Sequence, residues 1–513
     1  MGKLNKSSLF HRTVLITFLI FLLSFTFKSK ANARNEKPYF TDIGQFNYAK
    51  FLMGENDFKV AAREFARLIE NFPASPLIPE AQFRMAEAYF NSGSYQEAEV
   101  QFRLFISNFS SNPLVEEAAV KLIESQSRLK KDLPLAPVPE YYPERRPNLR
   151  AVQVMLFEGK TLAQVEQELK RLKDSGIDTI IVRAFHNSGD RYYPFASPKA
   201  KAGVYFKTTH APVVDDSLSG IIHAARRQDL KVFAWMTTRY ADYGIENEDE
   251  LACRGYDIST RQGFKCKGLD LFNEKAVKRL EALYSDLAEY DIDGILFQDD
   301  LVLRHNEGFG TSMSALYKKE TGRTINPESL YLRVGEKPSI HYTQLFWEWA
   351  SWKNKRLLTV AQRLKEVVHK KRPETRFAIN LMYESLTNPP FALAWLSQNL
   401  EEANKVGFDY YSIMAYHRQM GQELNKDSAS IKGMIEKMVE EASRTIGEPH
   451  RVLIKLQTID WKTGAPLSNA EVVDLIRDVK SVKDVSLAVV PYRGDFPFNE
   501  LGFPNGVALL NRQ

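Results

Sequence analysis

The chain has 513 residues, 44% of them hydrophobic and 26% charged, a composition that suits a folded protein of two or three domains. A formal charge of +5 over that length gives no ground for a nucleic-acid partner. Aromatic content of 12% is slightly high, as in proteins that stack on sugar rings, and two cysteines are too few to complete a structural zinc site.

The first 33 residues read as a secretory signal. Lys3, Lys6, His11 and Arg12 precede an apolar run from Val14 to Phe27, and Ala31-Asn32-Ala33 offers small residues where a signal peptidase cuts. The run falls short of the ~20 residues of a spanning helix, so an uncleaved membrane anchor is the lesser reading. The expected address is outside the cytoplasm, in a bacterial periplasm.

From Phe40 to Leu129 the pattern is helical and repeats. Ala49, Phe58, Ala61, Phe65, Asn71 and Phe72 recur 37 residues later as Ala86, Tyr95, Ala98, Phe102, Asn108 and Phe109. The period resembles tetratricopeptide repeats, which make scaffolds for partner proteins. One expected partner is another protein of exopolysaccharide export. A simple helical hairpin packed on the main domain is the other reading. Residues 130–148 follow as a linker carrying Pro134, Pro137, Pro139, Pro143 and Pro147, which predicts a semi-rigid extended segment.

From Leu149 to the C-terminus short apolar runs alternate with helical patterns. Eight runs read as strands: Ala151–Phe157, Asp178–Phe185, Lys231–Thr237, Asp293–Asp299, Arg376–Met382, Phe408–Tyr416, Arg451–Leu456 and Ser486–Tyr492. Helices are predicted at 161–174, 217–228, 274–289, 340–370, 390–403, 428–445 and 469–479. Eight βα units predict a (β/α)8 TIM-type barrel preceded by the all-α tetratricopeptide-like region. A doubly wound sheet is disfavoured, because no Gly-x-Gly-x-x-Gly follows the first strand. Trp347, Trp349 and Trp352 read as a packing face. Cys253 and Cys266 share one loop-like stretch beyond the third strand, and in an exported chain a disulfide between them is expected.

In such a barrel, chemistry gathers just past the strand ends. There the chain offers Arg183 and His186, then Trp235 and Arg239, then Asp299-Asp300, with His305 shortly after. Tyr383 and Glu384 follow the fifth strand, Tyr416 the sixth, Gln457, Asp460 and Trp461 the seventh, and Tyr492 and Asp495 the eighth. Carboxyls with aromatics suit glycosidic cleavage, which needs one acid to protonate a leaving oxygen and one carboxylate as base or nucleophile. Asp299 or Asp300 is the expected acid, and Glu384 or Asp460 the expected second carboxylate. The remaining strand-end residues are candidate sugar contacts. Asp299-Asp300 could instead cap its loop, pair with Arg183 or Arg304, or hold a cation. This chemistry calls for no cofactor and no metal.

Several stretches then become recognisable: Val232-Phe233-Ala234-Trp235-Met236, Leu271-Phe272-Asn273, Gly294-Ile295-Leu296-Phe297-Gln298-Asp299-Asp300, Ile413-Met414-Ala415, Leu456-Gln457-Thr458-Ile459-Asp460-Trp461 and Asp495-Phe496. They resemble the C-terminal glycoside-hydrolase domain of the PgaB family, exported bacterial poly-β-1,6-N-acetylglucosamine de-N-acetylases. The resemblance runs from about Leu149 onward. It implies a (β/α)8 domain that cleaves a partly deacetylated poly-N-acetylglucosamine of a biofilm matrix, with its key acid in the Asp299-Asp300 pair. Gln298 stands where the family has His, Glu158 follows a strand that the family ends in aspartates, and Arg493-Gly494-Asp495-Phe496 replaces Pro-Asp-Asp-Phe. The family's deacetylase domain has no counterpart, since no two of the nine histidines have its His-x-x-x-His spacing, and de-N-acetylation is not expected. A second reading stays open: a barrel that binds polysaccharide, or serves as an export scaffold, without cutting.

Overall fold

The computed structural model describes residues 41–131, 148–245, 247–334 and 339–501. The signal read at 1–33 and nearly all of the proline-rich segment lie outside these. The chain forms two compact units: one takes the described parts of 33–145 and 326–352, the other the described parts of 148–325 and 353–501.

The first unit is a stack of helices: α1 (Asp42–Gly54), α2 (Phe58–Asn71), α3 (Ile78–Asn91), α4 (Tyr95–Asn108) and α5 (Val115–Lys131). The 37-residue spacing is that of α2 to α4, each opened by an aromatic. Ala49, Ala61, Phe65, Ala86, Ala98 and Phe102 are all fully buried, because small residues let neighbouring helices approach and the phenylalanines fill the space beside them. The expected helix from 340 starts later, as α10 (Gln344–Lys371), since Ser339–Tyr342 instead pairs antiparallel with Tyr331–Val334. Trp347 and Trp349 are buried, Trp347 against Tyr48 at 5.2 Å.

The second unit is a closed barrel of eight parallel strands: β1 (Arg150–Val154), β2 (Thr179–Arg183), β3 (Lys231–Met236), β4 (Gly294–Phe297), β5 (Arg376–Met382), β6 (Tyr410–Met414), β7 (Val452–Gln457) and β8 (Ser486–Val490). Each strand pairs with its neighbours in chain order, and β8 closes onto β1 through Arg150↔Leu487 and Ala151↔Ala488. The strands read as unbroken apolar runs because both faces are covered. Gly294 is required at the start of β4, where a Cβ would lie 2.6 Å from the Phe233 ring. The layer outside is built by α6 (Leu162–Asp174), α7 (Ser217–Arg227), α8 (Glu274–Leu287), the barrel part of α10, α15 (Ser428–Ile446) and α16 (Asn469–Val482), while α9 (Thr311–Thr321) belongs to the insertion after β4. Side-chain caps start several of them: Thr161 accepts from Gln164 N, Asn273 from Lys275 N and Asp427 from Ser430 N.

Three aspartates close the lower end of the barrel. Asp178, Asp293 and Asp409 precede β2, β4 and β6, and accept from the first amides of the adjoining strands: Arg150 N, Val232 N at 2.7 Å and Phe377 N at 2.9 Å. Carboxylates at that face stabilise, whereas those at the opposite mouth are placed for chemistry.

The predicted helix at 390–403 is broken. It becomes α12 (Pro389–Leu396) and α13 (Leu400–Val406), after a short α11 (Glu384–Thr387). Ser397 takes a left-handed conformation, φ 49°, with its hydroxyl on Leu303 O. Gln398 turns inward to donate to Asn380 O and accept from Met382 N. Tertiary hydrogen bonds to the end of β5 outweigh helical continuity there. Among the described residues no helix is long and apolar enough to cross a membrane.

Candidate active site

The two aspartates after β4 have different surroundings. Asp300 is 1% exposed and accepts from Thr237 Oγ1 at 2.5 Å, Thr238 Oγ1 at 2.7 Å, Thr238 N at 2.9 Å and Tyr240 N at 2.8 Å. It is an acceptor surrounded by donors from the loop after β3, and so clamps that loop. Asp299 is half-buried, and its electrostatic neighbours are Lys455 and Tyr416. Burial raises its carboxyl above the usual range, Lys455 opposes that, and Asp300 adds to it. Of the pair, Asp299 is the more exposed.

Lys455 escaped the reading of the sequence. It lies inside β7, 1% exposed, and donates to Asn380 Oδ1 of β5 at 3.0 Å across the barrel interior. Burial pulls its ammonium down to about 8, against the pull of Asp299. The signal was present: one charge within the otherwise apolar Val-Leu-Ile-Lys-Leu has no place in a covered strand unless a partner sits in the interior. Tyr416 then meets Trp461 at 5.6 Å between centroids, a tilted aromatic pair beside Asp299.

A second acid group follows β5. Glu384 is half-buried, and burial, then the Glu423 carboxylate, lifts it to about 8. Glu423 comes from α14 (His417–Leu424) and accepts from Tyr383 Oη at 2.9 Å. α14 is held from three sides. Gln457 Oε1 of β7 accepts from its first amides, Arg418 N at 3.0 Å and Gln419 N at 3.2 Å. Gln422 donates to Asp460 Oδ2 at 3.2 Å, and Arg418 forks onto Glu471. Asp460 spends its other oxygen on its own turn, accepting from Lys462 N and Thr463 N. Asp460 thus shapes a loop, while Glu384 Oε2 is buried with no hydrogen-bond partner.

The remaining strand-end residues serve varied ends. Arg183, 3% exposed, holds Asp190 at 2.9 Å and Arg191 O at 2.7 Å. His186 is enclosed, stacked on Tyr192 at 4.1 Å and bonded to Tyr205 Oη at 2.8 Å, and burial lowers it to about 4, so it is neutral near pH 7. His305 stacks on Trp395 at 4.1 Å and is lowered to about 3 by burial. Trp235 is mostly buried edge-on against Phe185. Arg239 is enclosed with Glu307 at 2.9 Å and lies 3.5 Å from Cys253 Sγ. Tyr492 packs between Phe157 and Phe498, its hydroxyl directed to Glu168 of α6. Asp495 pairs with Arg493, whose guanidinium also ties Thr458 O and Leu467 O. The structure thus gathers Asp299, Tyr416 and Trp461 with Lys455, and Tyr383 with Glu384 and Glu423. Arg239, His186, Tyr492 and Asp495 brace the rim.

Cys253 and Cys266 are joined, closing the hairpin of Ala252–Asp257 and Gln262–Leu269 beyond β3. Among the described residues no group of three His, Cys, Asp or Glu side chains is assembled as metal ligands would be. A separate open cleft of about 830 Å³ lies outside the barrel between α7 and α8, lined in part by His210, His223, Arg226 and Tyr290, and it holds none of the strand-end residues.

An eight-stranded parallel barrel with two raised carboxyls and an aromatic pair at its C-terminal mouth defines a carbohydrate-cleaving enzyme of the glycoside hydrolase class. The chain belongs to hypothetical glycosyl hydrolase family 13, whose model matches residues 159–488. In fold it is similar to the PgaB (BpsB) glycoside hydrolase domain from Bordetella bronchiseptica, at 21% identity and a TM-score of 0.53, covering 67% of this chain and 94% of that one. A further likeness is to the catalytic domain of β-amylase from Paenibacillus polymyxa, at 9% identity and a TM-score of 0.46, over 69% of this chain and 94% of that one. No curated protein matches the chain.

Proposed function

We propose that this barrel cleaves glycosidic bonds in an amino-sugar exopolysaccharide of the partly deacetylated poly-N-acetylglucosamine type. The observation that carries the reading is the pair of raised carboxyls after adjacent strands, Asp299 on β4 and Glu384 beyond β5. Asp299, with a cation behind it, acts as base or nucleophile. Glu384, protonated at neutral pH, hands its proton to the leaving oxygen. Tyr416 and Trp461 offer ring faces to a sugar. The choice of glycan is supported by the motifs around Gly294 to Asp300 and Leu456 to Trp461. It is also supported by the acidic side chains of Asp299 and Glu423 near the mouth, which suit a chain bearing free ammonium groups. The leader sequence and the bridge between Cys253 and Cys266 support action outside the cytoplasm, and the repeats suit docking to an export protein.

The test is product release. The purified chain is incubated with poly-β-1,6-N-acetylglucosamine that is fully acetylated, partly deacetylated or fully deacetylated, and oligosaccharides are sought by mass spectrometry. Cleavage confined to the partly deacetylated polymer is expected. Binding without products from any of the three would leave a polysaccharide-binding protein and end the hydrolase reading.

A further inference from the structure

Two carboxyls and one hydroxyl meet after β5. Tyr383 Oη donates to Glu423 Oε2 at 2.9 Å, and it also lies beside the carboxyl of Glu384, the next residue in the chain. A phenol has a single proton to give, so it serves one of the two carboxyls at a time. The bond made is the one to Glu423. Gln419 Nε2 donates to the other oxygen of Glu423 at 2.9 Å, so that carboxylate is fixed by both oxygens. Glu384 Oε2 is left buried without a hydrogen-bond partner. Such surroundings disfavour an ionised carboxylate and suit a neutral carboxylic acid.

Glu423 is exposed, yet it is not a loose surface charge. It stands in the last turn of α14, whose first amides are pinned by Gln457 and whose Arg418 and Gln422 are tied to Glu471 and Asp460. The helix is therefore held in place independently of Glu423. The elements packed around Glu384 bring no charge to offset it. α12 contains no charged residue, and α15, which packs beside α11, buries Ile431, Ile435 and Met438 with neighbours that are likewise uncharged. The side chains that act on Glu384 are thus Tyr383 and Glu423. Burial, and then the like charge of Glu423, lift it to about 8.

We infer that Glu423 is a positioning residue acting through Tyr383: by claiming the hydroxyl proton it withholds a donor from Glu384, and so keeps that carboxyl in the acid form that protonates a leaving oxygen. This role rests on Glu384 being the acid of the reaction proposed above.

Two readouts test it. In infrared difference spectra of the purified chain, the carboxylic-acid carbonyl band that Glu384→Gln removes should persist at pH 7 in the wild type. Glu423→Gln loses the charge but keeps an acceptor for Tyr383, and its band should titrate away roughly 0.5–1 pH unit lower. Glu423→Ala also frees the Tyr383 proton and should shift the midpoint further, and adding Tyr383→Phe should give part of that shift back. The alkaline limb of kcat/KM on partly deacetylated poly-β-1,6-N-acetylglucosamine should move by the same steps. Gln422→Ala, which loosens α14 and leaves the charge, should keep both midpoints in place. One shared midpoint in wild type, Glu423→Gln and Glu423→Ala overturns the role of Glu423, whether or not the glycan is cut. So does a Gln422→Ala shift as large as that of Glu423→Gln, which would make the effect one of helix position. Midpoints that move as expected without any cleavage would uphold the coupling of Glu423 to Glu384 and end the hydrolase reading.

Discussion

Asp299 and Asp300 are chain neighbours with unlike bonding, and substitution should separate them. Asp299→Asn should lower turnover by roughly 100-fold or more with thermal stability retained, because it removes a proton-transferring or nucleophilic group. Asp300→Asn should instead cost roughly 2–4 kcal/mol of stability, since an amide set among the donors of Thr237, Thr238 and Tyr240 leaves several of them unpaired. Equal loss of activity with equal stability in the two variants would refute the division. Glu384 gives a pH test. Its acid form persists to about 8, so kcat/KM should fall as pH rises through that value, and Glu384→Gln should lose most activity and the limb with it. His186 and His305, already neutral above about 4 and about 3, should add no limb between pH 5 and 8. The sequence offered Asp299, Asp300 and Glu384 as candidates, and what it did not carry was the division between the two aspartates. The donors that claim Asp300 come from residues 237–240, some sixty positions away.

At the scale of elements, the strands were readable because a covered parallel strand is a short apolar run with a polar end, and each of the eight is bounded that way. Strand ends were read correctly as a rim. Which rim residues face a substrate was not readable, because neighbours in space decide it: Tyr492 meets Glu168 of α6, and Arg239 meets Glu307. The helix expected at 390–403 failed for the same reason, its middle being drawn inward by Asn380. The hairpin beyond β3 carries a prediction of its own. Cys253 and Cys266 are 13 residues apart, and a bridge across so short a loop removes about 3 kcal/mol of unfolded-state freedom. Calorimetry of the Cys253→Ser, Cys266→Ser variant should show a lowered Tm. An unchanged Tm would mean that the hairpin is held by Arg239 and its partners alone.

For the molecule as a whole, the buried ionisable groups of the mouth make stability depend on pH in two opposed windows. Glu384 is raised from 4.5 to about 8, so the folded state holds its proton more tightly, and stability is lost as pH climbs through that window. Lys455 is lowered from 10.5 to about 8, so its contribution is present above that window and is lost as pH falls through it. Lys455→Met should therefore gain stability relative to wild type as pH drops from 10.5 to 8 and hold a constant advantage below, measured by urea unfolding at several pH values. Its activity should fall at the same time, since Asp299 loses the cation that keeps it charged. A variant less stable at pH 7 than at pH 10, relative to wild type, would contradict this sign.

The bridged hairpin has a practical side for spectroscopy. Both cysteines of the chain are spent in it, so no free thiol remains. Any cysteine introduced by mutation is then the sole reactive sulfur, and a spin label or fluorophore can be attached at one chosen position without first stripping the background. A label on the loop bearing Trp461 could then report on added saccharides from that single parent chain.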